Sequence, residues 1–190
     1  MSITLIIGPM FSGKTSELIR LVDRKRIAGK KCLIIKHTTD NRYDNLENIE
    51  NIMTHSHISY SKTDIIKLPE ITKEFIIDIV TNNKYDVVAI EEGHFFIDIN
   101  VFCTELANNN IDVIISAIDS SFKQEMFKNI GELIANSEKV VKLSAICMEC
   151  KLSDAYFNIR TINSDDDILV GGADIYKSVC RKCMNKLKNI

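Results

Sequence analysis

Residues 8–15 read Gly8-Pro9-Met10-Phe11-Ser12-Gly13-Lys14-Thr15 and satisfy G-x-x-x-x-G-K-[ST] at every fixed position. Such a loop wraps successive backbone N–H groups around a β-phosphate, at the positive end of the helix that follows. Lys14 then reaches the β- and γ-oxygens, and the Thr15 hydroxyl is a ligand for Mg²⁺. A metal-bound triphosphate needs a second, acidic anchor. Asp86-Val87-Val88-Ala89-Ile90-Glu91-Glu92 supplies it, an apolar run ending in two carboxylates. Glu91 stands where an acid holds the Mg²⁺ hydration shell, and Glu92 points differently and is left for another task. Asn83-Lys84-Tyr85-Asp86 fits the N-K-x-D guanine-reading pattern, yet it precedes the apolar run, whereas a base-reading motif should follow one. It reads as a turn with a solvated lysine.

A second chemistry lies more than a hundred residues on, in two C-x-x-C pairs, Cys147/Cys150 and Cys180/Cys183. C-x-x-C lets two thiolates from one tight turn grip one zinc ion, and two pairs complete a tetrahedral S₄ site. All four positions are then taken by sulfur, so the site is structural and not catalytic. The spacer, 151–179, is longer than that of a small zinc finger, so the metal closes a substantial loop. Redox-active C-x-x-C is the competitor, and two pairs in one chain favour zinc. Cys32 and Cys103 sit in apolar segments and read as core residues.

The elements that must hold these groups are visible as short apolar runs rich in β-branched residues at 3–7, 32–35, 87–90, 113–118 and 140–143. Near-continuous apolar strands are buried on both faces, as in a parallel sheet. Helical patterns alternate with them at 14–27, 71–81, 99–108 and 122–136. That alternation predicts an α/β fold with right-handed crossovers. Two stretches break the pattern. Residues 38–62 are polar and aperiodic, and predict a long loop or hairpin. From Ser144 onward, cysteine pairs, a Gly-Gly step and an acidic 164–167 run replace the alternation, which predicts a second, metal-dependent unit.

The chain has 190 residues, of which 45% are hydrophobic and 26% charged, enough for a packed core. Its formal net charge of -2 offers no long-range attraction to nucleic acid or an anionic membrane. No run of ~18 apolar residues suggests a membrane span. The 3–7 run is too short for a signal-peptide core and has no basic residue before it. The expected location is the cytoplasm.

Read in order, these residues resemble the type II thymidine kinases, the small cellular, bacterial and viral class. The resemblance runs through nearly the whole chain, in Gly8 to Thr15, Asp40-Asn41-Arg42-Tyr43, Thr54-His55, Glu91-Glu92-Gly93-His94-Phe95-Phe96, Cys147-Met148-Glu149-Cys150, Gly171-Gly172-Ala173-Asp174 and Tyr176 through Cys183. It implies a RecA-like P-loop α/β domain with a mainly parallel sheet at 1–143, and a zinc-ribbon lasso domain at 144–190 that lids the nucleoside. The implied activity is transfer of the γ-phosphate of ATP to the 5′-hydroxyl of thymidine, with deoxyuridine a further substrate and Mg²⁺ on the triphosphate. By the same resemblance Glu92 is the general base, and Lys14, Thr15, Asp40, Arg42, Glu91 and His94 join the phosphate loop in handling ATP and metal. The nucleoside pocket carries over as Met10, Phe95, Ile118, Phe122, Phe127 and Tyr176, with the backbone of Ile168, Leu169, Val170 and Gly171 reading the polar edge of thymine. Each aromatic alone reads as core filling, and only the resemblance assigns it to substrate. A homotetramer inhibited by thymidine triphosphate is also implied.

Three residues depart from the family's pattern. Glu91 stands where Asp is usual, His94 where Gln is usual, and Phe157 near where a small hydroxyl-bearing residue approaches the thymine methyl. Arg160 is a further candidate for neutralising phosphate. The rival reading is a zinc-ribbon P-loop ATPase acting on nucleic acid, which accounts for both motifs but not for the missing basic stripe or for the aromatic set.

Overall fold

The computed structural model describes residues 1–39, 52–53, 59–162 and 171–188. In chain order the first elements are β1 (Ile3–Ile7), α1 (Lys14–Ile27), β2 (Cys32–His37), the short pair β3 (Ile52–Met53) and β4 (Ser59–Tyr60), and β5 (Asp64–Leu68). There follow α2 (Lys73–Thr81), β6 (Val87–Ile90), a one-turn 3₁₀ helix at Gly93–Phe95, α3 (Ile99–Asn108), β7 (Asp112–Ala117), α4 (Lys128–Ala135) and β8 (Lys139–Lys142). The chain continues through β9 (Ala145–Ile146), β10 (Asp154–Ala155), β11 (Phe157–Arg160), β12 (Tyr176–Val179) and α5 (Arg181–Lys188).

Six strands form one sheet in the order β5-β2-β6-β7-β1-β8, and every pairing in it is parallel. The α/β class expected from the alternating runs is therefore found. Side chains of period two divide between its faces. Leu5, Ile7, Leu33, Ile35, Val88, Ile90, Val113 and Ile115 meet the apolar sides of α2, α3 and α4. Ile6, Ile34, Val87, Ala89 and Ile114 meet Leu18 and Val22 of α1 on the other face. In α3, Ile99, Phe102, Cys103 and Leu106 are buried at the i, i+3, i+4, i+7 spacing of an inward stripe. Truncating one of them, as in Leu106→Ala, removes about 2–5 kcal/mol of stability.

Helix ends follow local chemistry. Thr72 caps α2 by accepting from Phe75 N–H at 3.2 Å. The helix α1 stops at Gly29, whose φ of 80° lets the chain leave while Gly29 N–H and Lys30 N–H return to the carbonyls of Arg26 and Lys25. Residues 83–86 lie before β6 as expected, with Asn83 at φ 45° and the Asp86 carboxylate accepting from Lys31 N–H at 2.8 Å.

One expectation needs correction, and one strand is an addition. The helix predicted over 122–136 begins only at Lys128. Upstream, Ser121 N–H donates to Glu125 O, Gln124 N–H returns to Ser121 O with Gln124 at φ 64°, and Ser120 bridges Met126, so the chain turns tightly instead of coiling. The addition is β5, an edge strand partly exposed along its whole length, whose Asp64-Ile65-Ile66-Lys67-Leu68 interrupts the apolar run with charges. The described part of 38–62 includes the antiparallel pair β3–β4, in keeping with a hairpin.

Among the described residues, the four short strands after Ser144 form two antiparallel pairs, β9–β10 and β11–β12. Around them a third apolar cluster gathers Ala145, Cys147, Ala155, Val179, Cys180, Cys183 and Met184.

Candidate active site

The phosphate motif leaves β1 and enters α1, the context it requires. Gly8 is dictated by space, since a Cβ there would lie 2.6 Å from the carbonyl oxygen of Leu143. Gly13 precedes the helix at φ 83°, and Lys14 is buried with Nζ donating to Pro9 O at 2.7 Å. The Ser12 hydroxyl donates to the same carbonyl at 2.8 Å, which closes the loop on itself. Pro9 thus receives a cation that a phosphate can take over. Thr15 lies in the first turn of α1, half-buried.

At the carboxyl end of β6, two strands away, Glu91 and Glu92 are both buried. Glu91 N–H completes the ladder by donating to Ile35 O at 2.9 Å. Glu92 is held left-handed, at φ 51° and ψ 47°, so its carboxylate turns off the strand direction. A non-glycine residue in that region costs about 1–3 kcal/mol and persists where the surroundings fix it. The next residue must be glycine, because a Cβ at Gly93 would meet Ile115 Cγ2 at 2.7 Å.

Between the two lies the end of β7. Ile118 N–H donates to His94 Nδ1 at 3.4 Å, and His94 Nδ1 is 3.6 Å from Glu92 Oε2. The His94 ring packs on Phe95 at 4.3 Å and on Phe127 at 5.3 Å between centroids, and His37 at the end of β2 stacks on Phe95 at 5.4 Å. A second group forms around Arg160, whose guanidinium lies 3.9 Å over the Phe122 ring and donates to Tyr176 Oη at 3.1 Å. The predicted pocket residues thus fall into two clusters, Phe95 with Phe127 and Phe122 with Tyr176. Met10 is buried in the phosphate loop. Phe157 packs beside the third apolar cluster, with Arg181 4.6 Å over its ring. The positions of Asp40, Arg42, Ile168, Leu169 and Val170 lie outside the described residues, and Gly171 is packed against Ile175.

The sequence reading missed several groups here. Asp119, buried just past β7, pairs with Lys142 at 2.6 Å. Asn129 Nδ2 donates to Phe96 O at 2.8 Å and to His94 O at 3.3 Å, pinning the short 3₁₀ turn from α4. Asn158 and Ser178 reach the phosphate loop from the ribbon. Single polar residues outside any motif give no spacing signal, so nothing in the sequence announces them.

The four ribbon cysteines converge, with one sulfur from each within 4.8 Å of the others. A tetrahedron of thiolates around zinc has S···S edges of about 3.8 Å, from Zn–S of about 2.3 Å; Cys150 and Cys180 stand 4.0 Å apart. Burial opposes a thiolate at Cys147, but backbone N–H groups of Cys150, Cys180 and Glu149 outweigh it and lower the group to about 6. At Cys183, burial and the neighbouring sulfurs of Cys180, Cys147 and Cys150 push the thiol up to about 12. A divalent cation that binds these sulfurs displaces the protons for which they compete. The donor set fits zinc.

A family model described as thymidine kinase matches residues 1–184. A thymidine kinase of Acanthamoeba polyphaga mimivirus is 58% identical over 192 residues, covering 100% of this chain and 85% of that one. Thymidine kinase 1 of Dictyostelium discoideum is 40% identical, covering 98% and 79%, and the thymidine kinase of Raccoon poxvirus is 45% identical, covering 95% of each. Among solved structures, a DnaB-like replicative helicase superposes with a TM-score of 0.47 at 10% identity over 73% of this chain and 47% of that one, a level that says nothing of activity.

Proposed function

We propose that this chain, which belongs to the thymidine kinase family, transfers the γ-phosphate of ATP to the 5′-hydroxyl of thymidine, and of deoxyuridine as well. Membership makes it a kinase, a phosphotransferase. The observation that carries the finer reading is Glu92: a buried carboxylate, aimed off the end of β6 by its left-handed backbone. In the reaction the 5′-oxygen attacks the γ-phosphorus, its proton passes to the Glu92 carboxylate, and the bridging oxygen leaves with ADP. A positioned base contributes ~10²–10⁴-fold in rate.

Lys14 and the backbone N–H groups of residues 8–15 stabilise charge on the transferring phosphoryl oxygens. Thr15 and Glu91 are the residues that would hold Mg²⁺, which supplies neutralisation of triphosphate charge when bound. Asp40 and Arg42 belong to the same set by resemblance. Met10, Phe95, Ile118, Phe122, Phe127 and Tyr176 form the nucleoside pocket, and by resemblance 168–171 read the polar edge of thymine. In this reading residues 1–143 carry ATP, and residues 144–190 are a zinc-pinned lid. The working assembly is a cytoplasmic homotetramer inhibited by thymidine triphosphate. Among the described residues no helix is long and apolar enough to cross a membrane.

A zinc-ribbon ATPase acting on nucleic acid is not favoured, since relatives that match 95% to 100% of this chain carry the kinase name. The test is direct. Purified protein is supplied with ATP, Mg²⁺ and labelled thymidine, and thymidine monophosphate is the expected product. Its absence refutes the reading.

A further inference from the structure

The phosphate loop's own bonds, from Ser12 and Lys14 to Pro9 O, leave the Met10 peptide to be held from outside. Residues 9–12 precede α1, and Phe11 sits at φ 62°, a conformation that non-glycine residues adopt only when something outside fixes them. The fixing contacts come from the ribbon, about 150 residues away in sequence. Met10 N–H donates to Asn158 Oδ1 at 2.9 Å, and the Ser178 hydroxyl donates to Met10 O at 2.5 Å. The N–H and the C=O of one loop residue are thus gripped from the same side.

The gripping residues form a unit. Asn158 and Ser178 face each other in the β11–β12 register, and their side chains stand 3.4 Å apart. Asn158 is 5% exposed and Ser178 0%, so water cannot replace either contact. Phe11 packs against the third apolar cluster, whose members include Cys147, Cys180 and Cys183. The backbone of Ser178 accepts from Met148 N–H at 2.9 Å, and Cys180 follows two residues later. The clamp on the loop in β12 and the Cys180 thiol just past its end are therefore two residues apart on one stretch of chain.

We propose that Asn158 and Ser178 are positioning residues for the phosphate loop, so that the cysteine ribbon sets nucleotide affinity as well as covering the nucleoside. Their effect runs through the Met10 peptide, which orients the following N–H groups toward the β-phosphate. The inference rests on residues 8–15 binding nucleotide phosphate, as in the proposed function. It adds a determinant of ATP binding located outside the P-loop domain.

The test uses the zinc-loaded full chain. Asn158→Leu keeps side-chain bulk and removes the acceptor, while Ser178→Ala removes only one oxygen. Mg·ADP affinity is measured calorimetrically without nucleoside, alongside zinc content and thermal midpoint. Both variants are expected to keep their zinc and to bind Mg·ADP about tenfold more weakly, the loss that follows when a buried group forfeits a hydrogen bond. Leu106→Ala, a core truncation in α3, is the control: it lowers the midpoint and leaves Mg·ADP affinity alone. Affinity indistinguishable from wild type in both variants overturns the proposal, and so does an equal loss in Leu106→Ala. Should Asn158→Leu not fold, Ser178→Ala decides by itself. A wild type that binds Mg·ADP but does not phosphorylate thymidine refutes the proposed function and leaves this outcome readable.

Discussion

Glu92 Oε2 lies 3.6 Å from His94 Nδ1, while the same nitrogen accepts from Ile118 N–H at 3.4 Å. One nitrogen thus faces a donor and an acceptor. A neutral imidazole with its lone pair on Nδ1 serves Ile118, and a protonated Nδ1 serves Glu92. A glutamine, the residue usual at this position in the family, has both a carbonyl and an amide and serves both at once. His94→Gln is therefore expected to retain activity. His94→Leu offers neither function and should lower kcat by about tenfold through loss of orientation at Glu92. Equal turnover in wild type and His94→Leu rules out the positioning role.

Glu92→Gln preserves the shape and burial of the side chain and removes its basicity. With Glu92 as the base, kcat falls by ~10²–10⁴-fold and affinity for Mg·ATP stays near wild type. Steady-state rates together with nucleotide titration separate the two effects. An unaltered kcat would remove Glu92 from the chemistry.

The amino-terminal edge of the sheet predicts an acid-dependent term in stability. Asp112 accepts from Lys25 Nζ at 2.6 Å and from Ser2 N–H at 3.1 Å. Burial opposes its charge, and the Lys25 ammonium, the Ser2 N–H and the amino terminus together more than offset that, holding the carboxyl below its ordinary value. A depressed carboxylate contributes stability that is fully present above the unfolded pKa, ~3.9, and is lost as pH falls through the folded value. Asp112→Asn should cost about 0.5–1 kcal/mol at neutral pH. Denaturant titrations of both proteins should converge as the pH approaches the depressed pKa. A gap that widened on acidification would contradict the assignment.

Much of this arrangement was legible in the residues. Strands β1 and β6 and helices α1 and α3 match their predicted bounds because continuous Ile/Val runs and a clean inward stripe leave few alternatives. The four cysteines converge because C-x-x-C is itself a local geometry. What stayed hidden depends on contacts across long separations. Asn158 looks like any strand asparagine until β11 is laid against the phosphate loop. Asp119 and Lys142 become a pair only when β7 and β8 flank β1. The Phe122 region failed for a different reason: its apolar spacing suits a helix, and the turn at Gln124 overrides it.

Zinc removal should separate the two parts of the molecule. Among the described residues, the third apolar cluster has seven buried members, three of them the converging cysteines Cys147, Cys180 and Cys183, whereas the largest cluster of the parallel sheet has 21. So few buried side chains cannot offset the ordering entropy of the ribbon, about 1–2 kcal/mol per residue for the backbone alone, without the metal. Chelation is therefore expected to loosen 145–184 first, raising amide exchange there and weakening thymidine binding while the sheet keeps its circular dichroism. Metal analysis, exchange mass spectrometry and thymidine titration on the same sample check the order of events. Full thymidine affinity in protein that carries no zinc would show that the ribbon stands without its ion.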